Sequence, residues 1–125
     1  MTTNATETVK AYLASWSLVD PDERARSLAA VMESDATYVD PAGQAQGRDA
    51  FDAHIASIQS LFVGHHLGLA SAVDEHNNVM RFEWELRDPN NEVTLTGTDF
   101  CTLSASGKLQ SVTGFFGPTP PLDLV

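Results

Sequence analysis

Apolar residues recur every three or four positions in the first half of the chain and every second position in the second half. The pattern therefore predicts helices followed by strands. Val9, Tyr12, Leu13 and Trp16 share one face of a helix over residues 6–19, with Thr8, Lys10 and Ser15 off it. Asp20-Pro21-Asp22-Glu23 reads as the start of a second helix: Asp20 caps it, Pro21 takes the first position and Glu23 completes a capping-box-like pair. Leu28, Val31 and Met32, with Ala25 one turn earlier, supply its buried stripe. A strand follows at 36–40 and stops at Pro41; alternation places Tyr38 and Asp40 on one face, Thr37 and Val39 on the other. A Gly-rich turn through Gly43 and Gly47 leads to a third helix over 48–62. Phe51, Ile55, Ile58 and Phe62 form its stripe, His54 and Leu61 lie alongside, and Gly64 ends it.

From His65 the period is two, and four strands are legible at about 66–74, 78–87, 92–103 and 108–116. Asn77-Asn78, Asp88-Pro89-Asn90-Asn91 and Ser104-Ala105-Ser106-Gly107 separate them with turn chemistry, so the strands pair mostly as antiparallel hairpins. The Pro118-Thr119-Pro120-Pro121 tail cannot continue a ladder. Three helices and a long curling sheet make an α+β arrangement with the helices against one face, which leaves an interior pocket. At 125 residues, without repeat or linker, residues 1–125 read as a single domain.

Composition narrows the partners. The chain carries 17 acidic and 7 basic residues, a formal charge of −10, and the cations are scattered singly. That argues against a nucleic-acid partner. The single cysteine, Cys101, excludes an intramolecular disulfide and a thiolate zinc cluster. The start MTTNATETVKAYL lacks the features of a secretory signal, and no apolar run approaches the twenty or so residues that span a bilayer. The expectation is a cytoplasmic protein with no membrane partner.

Candidate chemistry begins with Asp99. In strand 92–103 it shares a face with Val93, Leu95, Gly97, Cys101 and Leu103, the face expected to turn inward. A carboxylate there must pair, meet water in a cavity or keep its proton; a strand-end position let out to solvent, or a structural hydrogen bond, fits equally well. Asp40, before Pro41, reads on its own as a turn former. Tyr12, on the buried stripe, either packs in the core or takes a pocket carboxylate as partner for its hydroxyl. His54, His65, His66 and His76 form no metal motif. His76 reads as a solvated turn residue, and His54 as a rim or core residue able to touch the pocket. Met80, Phe82, Trp84 and Leu86 alternate with Arg81, Glu83, Glu85 and Arg87, the first set facing the core or pocket.

These residues carry a resemblance. Asp35-Ala36-Thr37-Tyr38-Val39-Asp40-Pro41-Ala42-Gly43 is similar to the strand and turn that hold the catalytic base in ketosteroid isomerases. Thr98-Asp99-Phe100-Cys101, and the stretch on to Gly114-Phe115-Phe116-Gly117, resembles that family's last two strands. Tyr12 falls at its oxyanion-hole tyrosine. The chain is thereby identified as a member of the nuclear-transport-factor-2-like (NTF2-like) superfamily, which also holds SnoaL-like polyketide cyclases and limonene-epoxide-hydrolase-like enzymes. The resemblance implies a cone of three helices on a curved sheet, Asp40 as general base, and Tyr12 with a protonated Asp99 as donors to an enolate oxygen. It implies a hydrophobic small-molecule substrate, bound by Tyr38, His54, Trp84, Cys101, Phe115 and Trp16, with no cofactor or metal, in a homodimer. His54 and Cys101 stand where the isomerases have apolar wall residues, which weakens the case for a flat steroid. Arg48 is common in SnoaL-like proteins and reads as a structural cap. The alternatives are a non-catalytic binding pocket and an epoxide-hydrolase-like activation of water, in which Arg81 with Asp40 or Asp99 would imitate part of that group's Asp-Arg-Asp set.

Overall fold

A computed structural model describes residues 4–123 of the chain. Helices α1 (Ala5–Ser15) and α2 (Pro21–Val31) come first. Strands β1 (Met32–Asp40) and β2 (Gly43–Gln46) follow, then helix α3 (Arg48–Leu61). Five strands complete the fold: β3 (His66–Leu69), β4 (Asp74–His76), β5 (Val79–Arg87), β6 (Val93–Leu103) and β7 (Leu109–Phe116). The three helices cover one face of a curved, open sheet of order β2-β1-β7-β6-β5-β3, with β4 paired to β5. All its ladders are antiparallel except β1 against β7, which is parallel. Among the described residues no helix is long and apolar enough to cross a membrane.

The start of α2 forms as its residues dictate: Asp20 accepts the Glu23 N–H at 2.9 Å and Pro21 sits in the first turn. Its buried stripe differs from expectation. Arg24, Leu28 and Val31 face inward, whereas Ala25 is exposed. Arg24 can be buried because its guanidinium has three partners, pairing through Nε with Asp52 and donating from Nη1 to Leu18 O at 2.9 Å and Gln59 Oε1 at 3.1 Å. Met32 leaves the helix in extended conformation and begins β1, four residues earlier than the apolar alternation indicates.

Two further differences bear on the cavity. The Gly43–Gly47 stretch is not only a turn. Gly43–Gln46 forms β2, paired to β1 with Asp40 opposite Gly43. Gln44 and Gln46 carry none of the β-branched or aromatic character that marks a strand, so neighbour pairing decides. The expected strand 66–74 is two pieces, β3 and β4, separated where Ser71 Oγ accepts the Glu83 N–H at 2.8 Å. On α3, Phe51 and Ile55 are buried, but Leu61 and Phe62 are exposed because the helix end runs past the core. Val9, Tyr12, Leu13, Leu28, Phe51, Ile55, Phe82 and Val112 build that core between the helices and the inner sheet face.

Candidate active site

Three adjacent strands set the centre of the site. Asp40 ends β1, Gly114 lies on β7 and Asp99 on β6, where Asp99 is directly opposite Gly114. All three residues point to the helix side. A Cβ on Gly114 would lie 2.9 Å from Asp99 Oδ1 and 3.2 Å from Asp40 Cβ. The two carboxylates therefore approach each other across a position that has no side chain. Gly97 acts likewise one step along β6. A Cβ there would overlap the Trp84 ring and sit 2.5 Å from the Phe115 carbonyl, so glycine lets the indole lie flat on the strand. From that seat Trp84 Nε1 donates to Asp99 Oδ1 at 3.1 Å.

The carboxylates have opposite surroundings. Asp40 Oδ1 accepts the N–H groups of Ala42 at 2.7 Å and Gly43 at 3.0 Å, and Oδ2 accepts the Tyr38 hydroxyl. His54 Nε2 lies 3.9 Å from Oδ2. Asp40 is thus both turn former and cavity residue: one oxygen closes the turn and the other faces inward. Asp99 is 4% exposed. Burial drives its carboxyl up to about 7; the Trp84 N–H opposes this and the charge of Asp40 adds to it. Burial also raises the Tyr38 hydroxyl, as does its bond to Asp40, and burial followed by the charge of Asp99 raises the hydroxyl of Tyr12 and the thiol of Cys101.

Asp40 and Asp99 line one cavity of about 170 Å³ between the helices and the sheet. Leu13, Trp16, Ile58, Trp84, Leu86 and Leu95 form its apolar wall, Tyr38 and Gln59 add polar atoms, and the exposed Phe62, His66 and Phe116 mark its open side. Of the residues expected at the site, Asp40, Asp99, Tyr38, Trp84 and Trp16 line this space. Tyr12, His54 and Cys101 lie behind the wall instead. The Tyr12 hydroxyl is close enough to the Trp16 indole to be influenced by it, yet no hydrogen bond of acceptable geometry joins them. Tyr12 Oη, Trp16 Nε1 and His54 Nε2 are all buried without a partner.

Phe115 is misplaced by the sequence reading. It is 56% exposed on the outer sheet face, edge-on to Phe100, and alternation gives the cavity Phe116. Arg81 also belongs to the outer face, paired with Asp74 at 2.9 Å, and takes no part in the cavity. Arg48 donates to Met32 O at 2.9 Å, a structural tie. Gly97, Gly114 and Gln59 were not singled out as site residues; the two glycines interrupting alternating strands were the available signal. Among the described residues no group of three or more His, Cys, Asp or Glu is placed to hold a metal ion.

Residues 9–112 match the SnoaL-like domain family. Among solved structures, a protein of the SnoaL-like family from Agrobacterium tumefaciens, provisionally named an isomerase, shares 30% identity at a TM-score of 0.86. The alignment covers 91% of this chain and 97% of that one. An NTF2-like protein of unknown function from an Exiguobacterium species aligns at 18% identity and TM-score 0.71, over 90% and 99% of the two chains. A Jannaschia protein provisionally named a SnoaL-like polyketide cyclase aligns at 13% identity and TM-score 0.66, over 89% and 85%. No curated protein matches the chain.

Proposed function

The chain belongs to the SnoaL-like domain family of the NTF2-like superfamily, and from that premise we propose that residues 1–125 form one domain whose side chains move a proton next to the carbonyl of a hydrophobic small molecule. The observation that carries this reading is the pair Asp40 and Asp99, in one cavity and in opposite surroundings. Asp40 is held by donors only, which suits a carboxylate; Asp99 is buried among apolar groups, which suits a carboxylic acid.

In this reading Asp40 Oδ2 takes the proton from the carbon α to the carbonyl. The C–H electron pair moves into the carbonyl, whose oxygen becomes an enolate stabilised by the proton of Asp99. Trp84 Nε1 can only donate, so Asp99 Oδ1 is kept as an acceptor and the acid proton sits on Oδ2. Asp40 then returns its proton to another carbon of the substrate, giving an isomer; or the enolate carbon attacks a second carbonyl carbon of the substrate, whose C=O pair moves onto its oxygen and takes the proton from Asp40, giving a ring that bears a hydroxyl. Tyr38, Trp84 and Trp16, which line the cavity, hold the substrate. Arg81 on the outer face leaves the epoxide-opening alternative without its cation.

The test is turnover of β,γ-unsaturated ketones and of diketones that can cyclise. Asp40→Asn is expected to lower kcat by about 10²-fold or more; full activity in that variant sinks the proposal. Ligand binding without turnover of any carbonyl compound would leave the pocket as a non-catalytic binding site. We also propose that two copies pair through the outer sheet face, where Phe100 and Phe115 stand exposed.

A further inference from the structure

We infer that His54 is a positioning residue for Asp40: its ring nitrogen Nε2 carries a hydrogen that faces Asp40 Oδ2 and favours the ionised carboxylate. The inference deepens the acid–base reading and rests on it for the part Asp40 plays in turnover.

Geometry is the first argument. His54 Nε2 is buried with no hydrogen-bond partner, and Asp40 Oδ2 lies 3.9 Å from it. The ring is held on several sides. Tyr38 packs tilted against it with centroids 5.5 Å apart, and Trp16 stands edge-on at 6.0 Å. A Cβ on Gly43 would come within 3.1 Å of His54 Cε1, so the glycine leaves the imidazole its space. The same Gly43 donates its N–H to Asp40 Oδ1 at 3.0 Å. One turn thus holds one oxygen of Asp40 and makes room for the ring that faces the other.

Electrostatics places the hydrogen. A neutral imidazole has one N–H and one lone pair, and a carboxylate can only accept. A lone pair on Nε2 would point at negative charge, whereas an N–H there is attracted to it, so the Nε2–H tautomer is favoured. Among the described residues His54 is the one basic side chain set against either carboxylate of the site. Of the other titratable groups beside Asp40, Tyr38 donates to it and Asp99, across Gly114, is a like charge once ionised. The distance also matters. Ala42, Gly43 and Tyr38 occupy three of the roughly four acceptor positions of the carboxylate. At 3.9 Å the His54 N–H is beyond hydrogen-bond reach. It therefore favours charge on Oδ2 without filling the position that takes the substrate's proton.

The experiment is heteronuclear NMR of the histidine rings in the purified, unmodified chain at alkaline pH, with the His54 ring assigned through its own Cβ. His54 is expected as the Nε2–H tautomer; the Nδ1–H tautomer would overturn the inference. A role beyond packing is then read in the pH profile. His54→Phe should lower kcat/KM about tenfold on the acidic side, with the loss narrowing as pH rises, because a donor that favours ionised Asp40 is gone. His54→Gln, whose amide N–H can stand where Nε2 stood, should restore most of it. A loss of one size at every pH, or of one size in both variants, means packing alone and also overturns the inference. The tautomer decides even if a variant fails to fold. The Nε2–H tautomer together with no turnover of any carbonyl compound would remove the acid–base reading and leave the assignment of His54 to Asp40 standing.

Discussion

Burial of the Asp99 carboxyl is expected to make the molecule's stability depend on pH. Its folded pKa of about 7 stands above the ordinary 3.8, so the folded state holds a proton that the unfolded chain releases. Stability on this account is greatest below about pH 4, falls as pH rises from about 4 to about 7, and then levels, a loss on the order of 4 kcal/mol at most. Urea unfolding across that range should show the slope, and Asp99→Asn should flatten it. If Asp99 acts as the acid, kcat/KM falls as pH rises through about 7; if it acted as the base, the limb would rise. Trp84→Phe removes the one donor that favours the ionised form, so the same limb should move to higher pH.

At the level of elements, the site is a matter of strand order. Asp40 and Asp99 are 59 positions apart in the sequence, and β7 lies between their strands. They meet because the β7 residue between them is Gly114. Gly114→Ala is expected to push the carboxylates apart, lower kcat/KM by about 10²-fold and cost about 1–3 kcal/mol of stability. Steady-state kinetics and urea unfolding check it; unchanged kinetics in a folded variant would mean that the spacing of the pair does not matter. The elements were partly legible beforehand. The α2 cap of Asp20 and Pro21 and the alternation of β5 follow from local chemistry and stand as read. Strand β2 and the burial of Arg24 were hidden: Gln44 and Gln46 carry no strand character of their own, and the buried cation exists only through Asp52 and Gln59, far away in sequence.

For the whole molecule, the sheet has one face under the helices and one without any. Phe100 and Phe115 are 43% and 56% exposed on that outer face, with ring centroids 5.9 Å apart. Burial of such a pair is favourable at about 25 cal/mol per Å², and a second copy supplies a matching surface by two-fold symmetry. Sedimentation equilibrium at micromolar concentration should therefore give a dimer, and Phe115→Asp should give a folded monomer. A monomeric unmodified chain would end the pairing proposal. Neither Phe100 nor Phe115 borders the cavity, so the monomeric variant should still bind small phenols.

That Asp99 shares a strand face with apolar residues, that Tyr38 and Asp40 share another, and that helices precede strands were determined by the sequence by itself, because side-chain alternation and helical spacing are local and periodic. Resemblance added Tyr12 and a chemistry. What the tertiary structure alone decided is which side chains share a space. Sheet order and curvature brought Asp40 and Asp99 together across Gly114, left Tyr12 and His54 behind the wall, gave the cavity Phe116, and turned Phe115 outward. Those outcomes depend on strand neighbours and register, where a shift of one residue reverses every side chain, and no local pattern encodes them.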